Sequence, residues 1–142
     1  MNRIMNAIRY YSKFGHSKQM AEAIEQIVGA KAAAVSEKLS EPADVLFLGA
    51  GVFLGKVNSA VFDFIDTLTP EMVKCVVLFG SCAIIESPVP QMLKALRARG
   101  IQVYGKSFTC KGAMGPIHKG HPDAKDIEDF RSFVRSTLSD TV

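Results

Sequence analysis

The chain reads as a doubly wound α/β domain, a five-stranded parallel sheet covered by helices on both faces. Three observations carry this expectation. Short apolar runs bounded by turn residues alternate with segments whose apolar positions repeat at three and four residues. The runs IMNAIRYY, DVLFLG and KCVVLFG are apolar on both faces, as a parallel strand must be when helices lie above and below it. A length of 142 residues, 48% hydrophobic and 22% charged, is enough for one core without disulfides or a structural metal, so residues 1–142 read as a single domain.

The elements follow in order. IMNAIRYY is the first strand, and the helix after it carries Met20, Ala23, Ile24, Ile27 and Val28 on one face before Gly29 ends it. AKAAAV is a weak second strand. The linker SEKLSEPA is too short for a full helix and is expected to form a turn or one helical coil. DVLFLG is the third strand, followed by a helix with Val57, Ala60, Val61, Phe64, Ile65 and Leu68 on one stripe. KCVVLFG is the fourth. Ser87 and Pro88 then start a helix that runs to about Gly100, a hydroxyl cap ahead of a proline whose missing donor costs nothing there. IQVYGKSFTC supplies the fifth strand, and Pro122 with Asp123 opens a last helix whose inner face is Ile127, Phe130, Val134 and Leu138.

Composition excludes several functional classes. A net charge of +3, scattered along the chain, is no nucleic-acid footprint. No segment approaches the roughly 20 apolar residues that span a bilayer, and MNRIMNAIRYY lacks the apolar run of a signal peptide, so a cytoplasmic protein is expected. Cys75, Cys82 and Cys110 are odd in number and widely spaced, which fits reduced thiols and neither a disulfide framework nor a zinc ribbon.

The chemistry concentrates in the turn between the first strand and helix: Ser12, Lys13, Phe14, Gly15, His16 and Ser17. In a doubly wound sheet the ligand crevice lies beyond the carboxyl ends of the strands, where the winding reverses. The backbone amides of this turn and the unpaired donors of the first helical turn point outward at the positive end of the helix dipole. Gly15 allows positive φ or the close approach of a phosphate, and Ser12 and Ser17 add hydroxyl donors. A phosphate is the natural occupant. The spacing is too short for a Walker loop, and G-x-G-x-x-G is absent from the turn.

The order of elements, the length and the pattern Ser-x-x-Gly-x-Ser after the first strand resemble the flavodoxin family. Members carry Thr or Ser, any residue, Thr, Gly, any residue, then Thr or Ser at this point, and bind the phosphate of FMN there; Phe14 stands here for the third-position hydroxyl and His16 for a frequent Asn. DVLFLGAGVFLGKV looks like the family's third strand and first flavin loop, and VVLFGSCAII like its second. FTCKGAMG looks like the end of the fifth strand.

The resemblance implies the strand order 2-1-3-4-5 and an FMN-binding redox protein that carries electrons between partner proteins. It implies that Phe53 lies against the isoalloxazine ring, that Leu54 shields the same face, and that Gly55 lets a peptide turn over so that its carbonyl accepts a hydrogen bond from reduced N5. Gly51 and Val52 belong to the same loop, while Gly80, Ser81 and Cys82 bring backbone groups to the pyrimidine edge. Lys13, Lys56 and Lys111 make the rim basic, which suits partners with acidic docking surfaces, with the molecule acting as a monomer or a dimer. Two other readings belong to the same fold: an FMN-dependent oxidoreductase such as a quinone reductase or a flavodoxin-like oxidase, and an interaction module that no longer binds FMN.

Other chemistries fit less well. Cys82 after a strand invites a phosphatase reading, but the low-molecular-weight phosphatase loop needs an Arg six positions on, where Pro88 stands. A receiver domain needs acidic residues where this chain has Tyr11, Ser12 and Gly49. His118 and His121 have a metal-compatible spacing without a third ligand near, so no metal is assigned, and no residue is assigned a catalytic role of its own.

Overall fold

The computed structural model describes residues 5–53, 55–82, 87–111 and 122–141. In chain order the elements are β1 (Asn6–Tyr10), α1 (His16–Ala23), α2 (Glu25–Val28), β2 (Ala32–Ala34), β3 (Ala43–Phe53), β4 (Lys56–Val57), α3 (Ser59–Ile65), β5 (Val73–Cys82), α4 (Val89–Ala98), β6 (Phe108–Lys111) and α5 (Ala124–Thr141). The parallel strands run β2-β1-β3-β5-β6 across the sheet, which is the expected doubly wound order once β4 is set aside. The chain moves outward from β1 to β2 and then returns to β3 on the other side of β1. The winding therefore reverses between β1 and β3, and their carboxyl ends open a crevice there.

Side-chain alternation on β3 and β5 feeds two cores. Leu46, Leu48, Ala50, Val76 and Leu78 pack with Val61, Phe64, Met92 and Leu96 of α3 and α4. Val45, Phe47, Val77 and Phe79 pack with Met20, Ile24, Val28, Ile127, Phe130 and Val134 of the other helical layer. Two glycines let these layers close. A Cβ on Gly49 would lie 2.2 Å from the buried Phe79 ring, and one on Gly80 would lie 2.1 Å from the Ala50 carbonyl oxygen and 2.6 Å from Pro88.

Four expectations are corrected. Among the described residues the sheet has six strands, because β3 turns back through Gly55 into the two-residue β4, which pairs with it antiparallel as Val52↔Val57 and Phe53↔Lys56. Val57 is consequently a strand residue, and Leu68 lies past the end of α3. The first helix is two helices. Arg131 of α5 donates to the Ala23 carbonyl at 3.1 Å, taking an acceptor that an unbroken helix would use, and the chain bends at Ile24. The fifth strand is interrupted: between Val76↔Val103 and Phe79↔Phe108 the β5 side advances three residues and its neighbour five, so Gly105 and the residues around it bulge out of the ladder.

Helix ends follow local chemistry. Gly29 closes α2 with φ 77°. Ser87 Oγ accepts from the Val89 N–H at 3.1 Å. Asp123 and Asp126 exchange backbone-to-carboxylate bonds of 2.9 and 2.8 Å in a reciprocal cap at the start of α5. The linker after β2 forms a turn, held by Arg9, whose buried side chain donates to the carbonyls of Glu37 and Lys38 at 2.8 and 3.4 Å. Burial pushes the Arg9 guanidinium below its ordinary range, and the nearby Glu37 carboxylate opposes that shift.

Candidate functional site

The carboxyl ends of β1, β3 and β5 meet in register, with Tyr10 beside Gly49 and Gly51 beside Ser81. Above them lies a cavity of about 270 Å³. Of the residues expected from sequence, Ser12, Lys13, Phe14, His16, Ser17, Gly51, Val52, Phe53, Ser81 and Cys82 all line it. Leu54 lies outside the described residues, as do Ala83–Glu86 of the second loop and His118 and His121.

Three expected glycines stand behind the wall and do not line it. Gly15 is the N-cap of α1 with φ 87°, and its carbonyl accepts from the Gln19 N–H at 3.0 Å. Its role is to let the chain enter the helix so that the first-turn amides face the cavity. Gly55, with φ 77°, is the turn between β3 and β4. Gly80 is needed where β5 crosses under Ala50 and Pro88, because a Cβ there would meet both.

The floor is a group of hydroxyls. Ser17 and Ser81 are buried, and a Cβ on Gly51 would touch both, at 4.0 and 3.4 Å from their oxygens, so Gly51 is what leaves the space between them open. The Ser12 Oγ is buried and has no hydrogen-bond partner. A buried hydroxyl without a partner costs about 1–3 kcal/mol relative to a satisfied one. At the amino-terminal end of α1, where an anion is favoured, such a group is a donor held ready for a ligand. Residues and geometry fit the phosphate end of FMN.

The walls are aromatic and basic. Phe53 meets Phe14 edge-on at 5.8 Å between centroids, and the Lys13 ammonium sits 3.4 Å from the Phe53 centroid. Lys13 therefore covers a face of Phe53, and a flat ligand stacked on that face would take the ammonium's place at a cost of about 0.5–2 kcal/mol. Phe14, in the position of the missing hydroxyl, is 51% exposed, one of two large hydrophobic side chains exposed among the described residues. Cys82 borders the cavity as a neutral thiol, since burial pushes its pKa up and Lys111 only partly offsets this. Cys110, against Met20 at 3.7 Å, is pushed up to about 12, first by burial and then by Asp126. Neither is poised as a nucleophile. Among the described residues no three His, Cys, Asp or Glu side chains cluster as a metal site, and no helix is long and apolar enough to cross a membrane.

Sequence reasoning placed Lys56 on the rim but missed Tyr11, Val57, Asn58 and Ser59 as lining residues. The signal was Asn58 followed by Ser59: Asn58 caps α3 by accepting from the Ala60 N–H at 2.9 Å. A cap so soon after Gly55 leaves room only for a hairpin, which brings the helix start back to the crevice. Phe108, at the start of β6, packs on Phe130 at 5.1 Å and Phe133 at 5.8 Å.

Residues 7–112 match the model of a flavodoxin domain. The chain belongs to the flavodoxin-domain family. It is 26% identical to an uncharacterized protein of Methanocaldococcus jannaschii over 73% of this chain and 75% of that one. Among solved structures it resembles a flavodoxin from the domain Archaea, with a TM-score of 0.76 at 17% identity over 96% of this chain and 97% of the other. It also resembles the flavodoxin of Megasphaera elsdenii solved in the two-electron reduced state, with a TM-score of 0.59 at 20% identity, covering 91% and 99% of the two chains. The rubredoxin oxygen:oxidoreductase of Desulfovibrio gigas contains a matching portion, with a TM-score of 0.72 at 14% identity over 96% of this chain but 36% of that enzyme. At these identities the likeness to the solved structures is one of fold.

Proposed function

We propose that this flavodoxin-domain protein binds FMN and carries electrons between partner proteins. The observation that supports the reading most directly is the Ser12 hydroxyl, buried without a partner at the mouth of α1 and beside the buried Ser17. That group is explained by a ligand with acceptor oxygens. Ser12, Ser17 and the first amides of α1 would hold the phosphate, while Phe53, Tyr11 and Val52 would border the ring and exclude water from it. FMN supplies the redox chemistry when bound, and the protein supplies binding, orientation and local charge. Lys13 and Lys56 make the rim cationic, which suits a partner presenting carboxylates around its own redox centre.

One observation favours a second reading, the interaction module. Lys13 lies on one face of Phe53, and Phe14 is open to solvent beside it, a basic and aromatic surface that a protein partner could cover. Visible absorption separates the two. Incubated with excess FMN and freed of the unbound fraction, the protein is expected to retain one flavin per chain with shifted bands. A folded but colourless protein would reject the electron carrier and leave the interaction module.

A further inference from the structure

Helix α4 sends one side chain to the hairpin that walls the cavity. The Gln91 amide sits astride Lys56: Nε2 donates to the Gly55 carbonyl at 3.0 Å, and Oε1 accepts from the Val57 N–H at 3.0 Å. Both ends of one residue are thereby held by a single side chain more than thirty positions away. Among the described residues the hairpin's own hydrogen-bonded ladder is short, although Val57 is buried in the core at one end of it. Its ladder is two residue pairs long, and Gly55 has φ 77°, a conformation in which glycine is free to move to many others. Phe53, Lys56 and Val57 border the cavity, whereas Gly55 and Gln91 do not. The Gly55 carbonyl is thus engaged on the α4 side, by a group outside the cavity.

We propose that Gln91 is a positioning residue for this wall: it sets the Gly55–Lys56 peptide and keeps its carbonyl turned from the cavity. The redox consequence rests on the flavin reading. If the Gly55 carbonyl is the acceptor for the protonated N5 of reduced FMN, Gln91 competes for that same carbonyl. A loosened wall weakens binding of oxidised and reduced FMN alike and cancels in their ratio. Release of a competing hydrogen bond favours the reduced form only.

Two variants and a control test this. Gln91→Ala removes both bonds; Gln91→Glu keeps the acceptor for the Val57 N–H and removes the donor to Gly55. Lys94→Ala, exposed on the same helix, touches neither. Amide hydrogen exchange at Val57 is expected to quicken at least about ten-fold in Gln91→Ala and to stay within about three-fold of the parent in Gln91→Glu and Lys94→Ala. With FMN bound, the ratio of reduced to oxidised affinity, read from the oxidised dissociation constant and the midpoint potential, is expected to rise about three- to ten-fold in Gln91→Ala. Unchanged Val57 exchange overturns the proposal. Faster exchange with an unchanged affinity ratio reduces Gln91 to a structural tether and overturns the competition. If the parent protein retains no FMN, the flavin reading and the redox consequence fall together, while exchange in the ligand-free protein still decides whether Gln91 holds the wall.

Discussion

At the amino ends of the strands Asp44 accepts from the Met5 N–H at 2.9 Å and pairs with Lys74 at 3.1 Å, while at the carboxyl ends the Ser12 hydroxyl is buried with no partner. The same contrast holds for nearby side chains. Asn6 anchors its amide nitrogen on the Val28 carbonyl at 3.3 Å, though its oxygen stays unpartnered, whereas Phe14 stands half in solvent and Lys13 rests on Phe53. One end is closed by its own hydrogen bonds apart from the Asn6 oxygen. The other holds donors, an aromatic face and cations that the fold itself does not use up, the pattern expected where stability is given up for a ligand.

The comparison can be broken most severely from beneath the cavity. Gly80→Ala places a Cβ against the Ala50 carbonyl, where backbone cannot yield, and should cost about 3 kcal/mol in urea unfolding, near the upper end of overpacking penalties. A loss under about 1 kcal/mol would show that β3 and β5 can part at this point.

The sharpest test lies in Ser12→Ala, because it should move two quantities in opposite directions. Removing a buried, unsatisfied hydroxyl should raise the stability of the ligand-free protein by about 1 kcal/mol. Removing a donor to a charged phosphate should weaken FMN binding about ten-fold, measured by quenching of flavin fluorescence. If both quantities fall, Ser12 belongs to the scaffold.

The smallest effect is expected at the closed end. The Met5 N–H and then the hydrogen bond from Lys74 hold the Asp44 carboxyl below the usual range, with burial opposing them. Its contribution to stability is therefore complete above its unfolded pKa of about 4 and is lost as the pH falls through its lower folded value. Asp44→Asn should remove that part of the acid dependence in urea titrations without altering FMN affinity. An unchanged acid profile would mean that the pair with exposed Lys74 is idle.

Residue types and their spacing were enough to read the doubly wound sheet, the caps at Gly29 and Ser87, and most of the cavity lining, because apolar periodicity, turn chemistry and helix capping are encoded within a few neighbouring residues. Ser12, Gly15 and Ser17 were legible for the same reason: one turn carries them all. Contacts between distant segments had no local signal. That the Ala23 carbonyl is taken by Arg131, that Gly80 serves packing under Pro88, that Lys13 covers Phe53, and that Gln91 grips the chain on both sides of Lys56 depend on side chains meeting across the sheet or between neighbouring loops. Local sequence determined that a turn carrying Ser12, Gly15 and Ser17 leads from the first strand into a helix, since backbone conformation and residue chemistry there are short-range properties. Only the tertiary structure decided which donors among the described residues remain unpaired and which distant side chain holds each wall, because pairing and burial are properties of the assembled core.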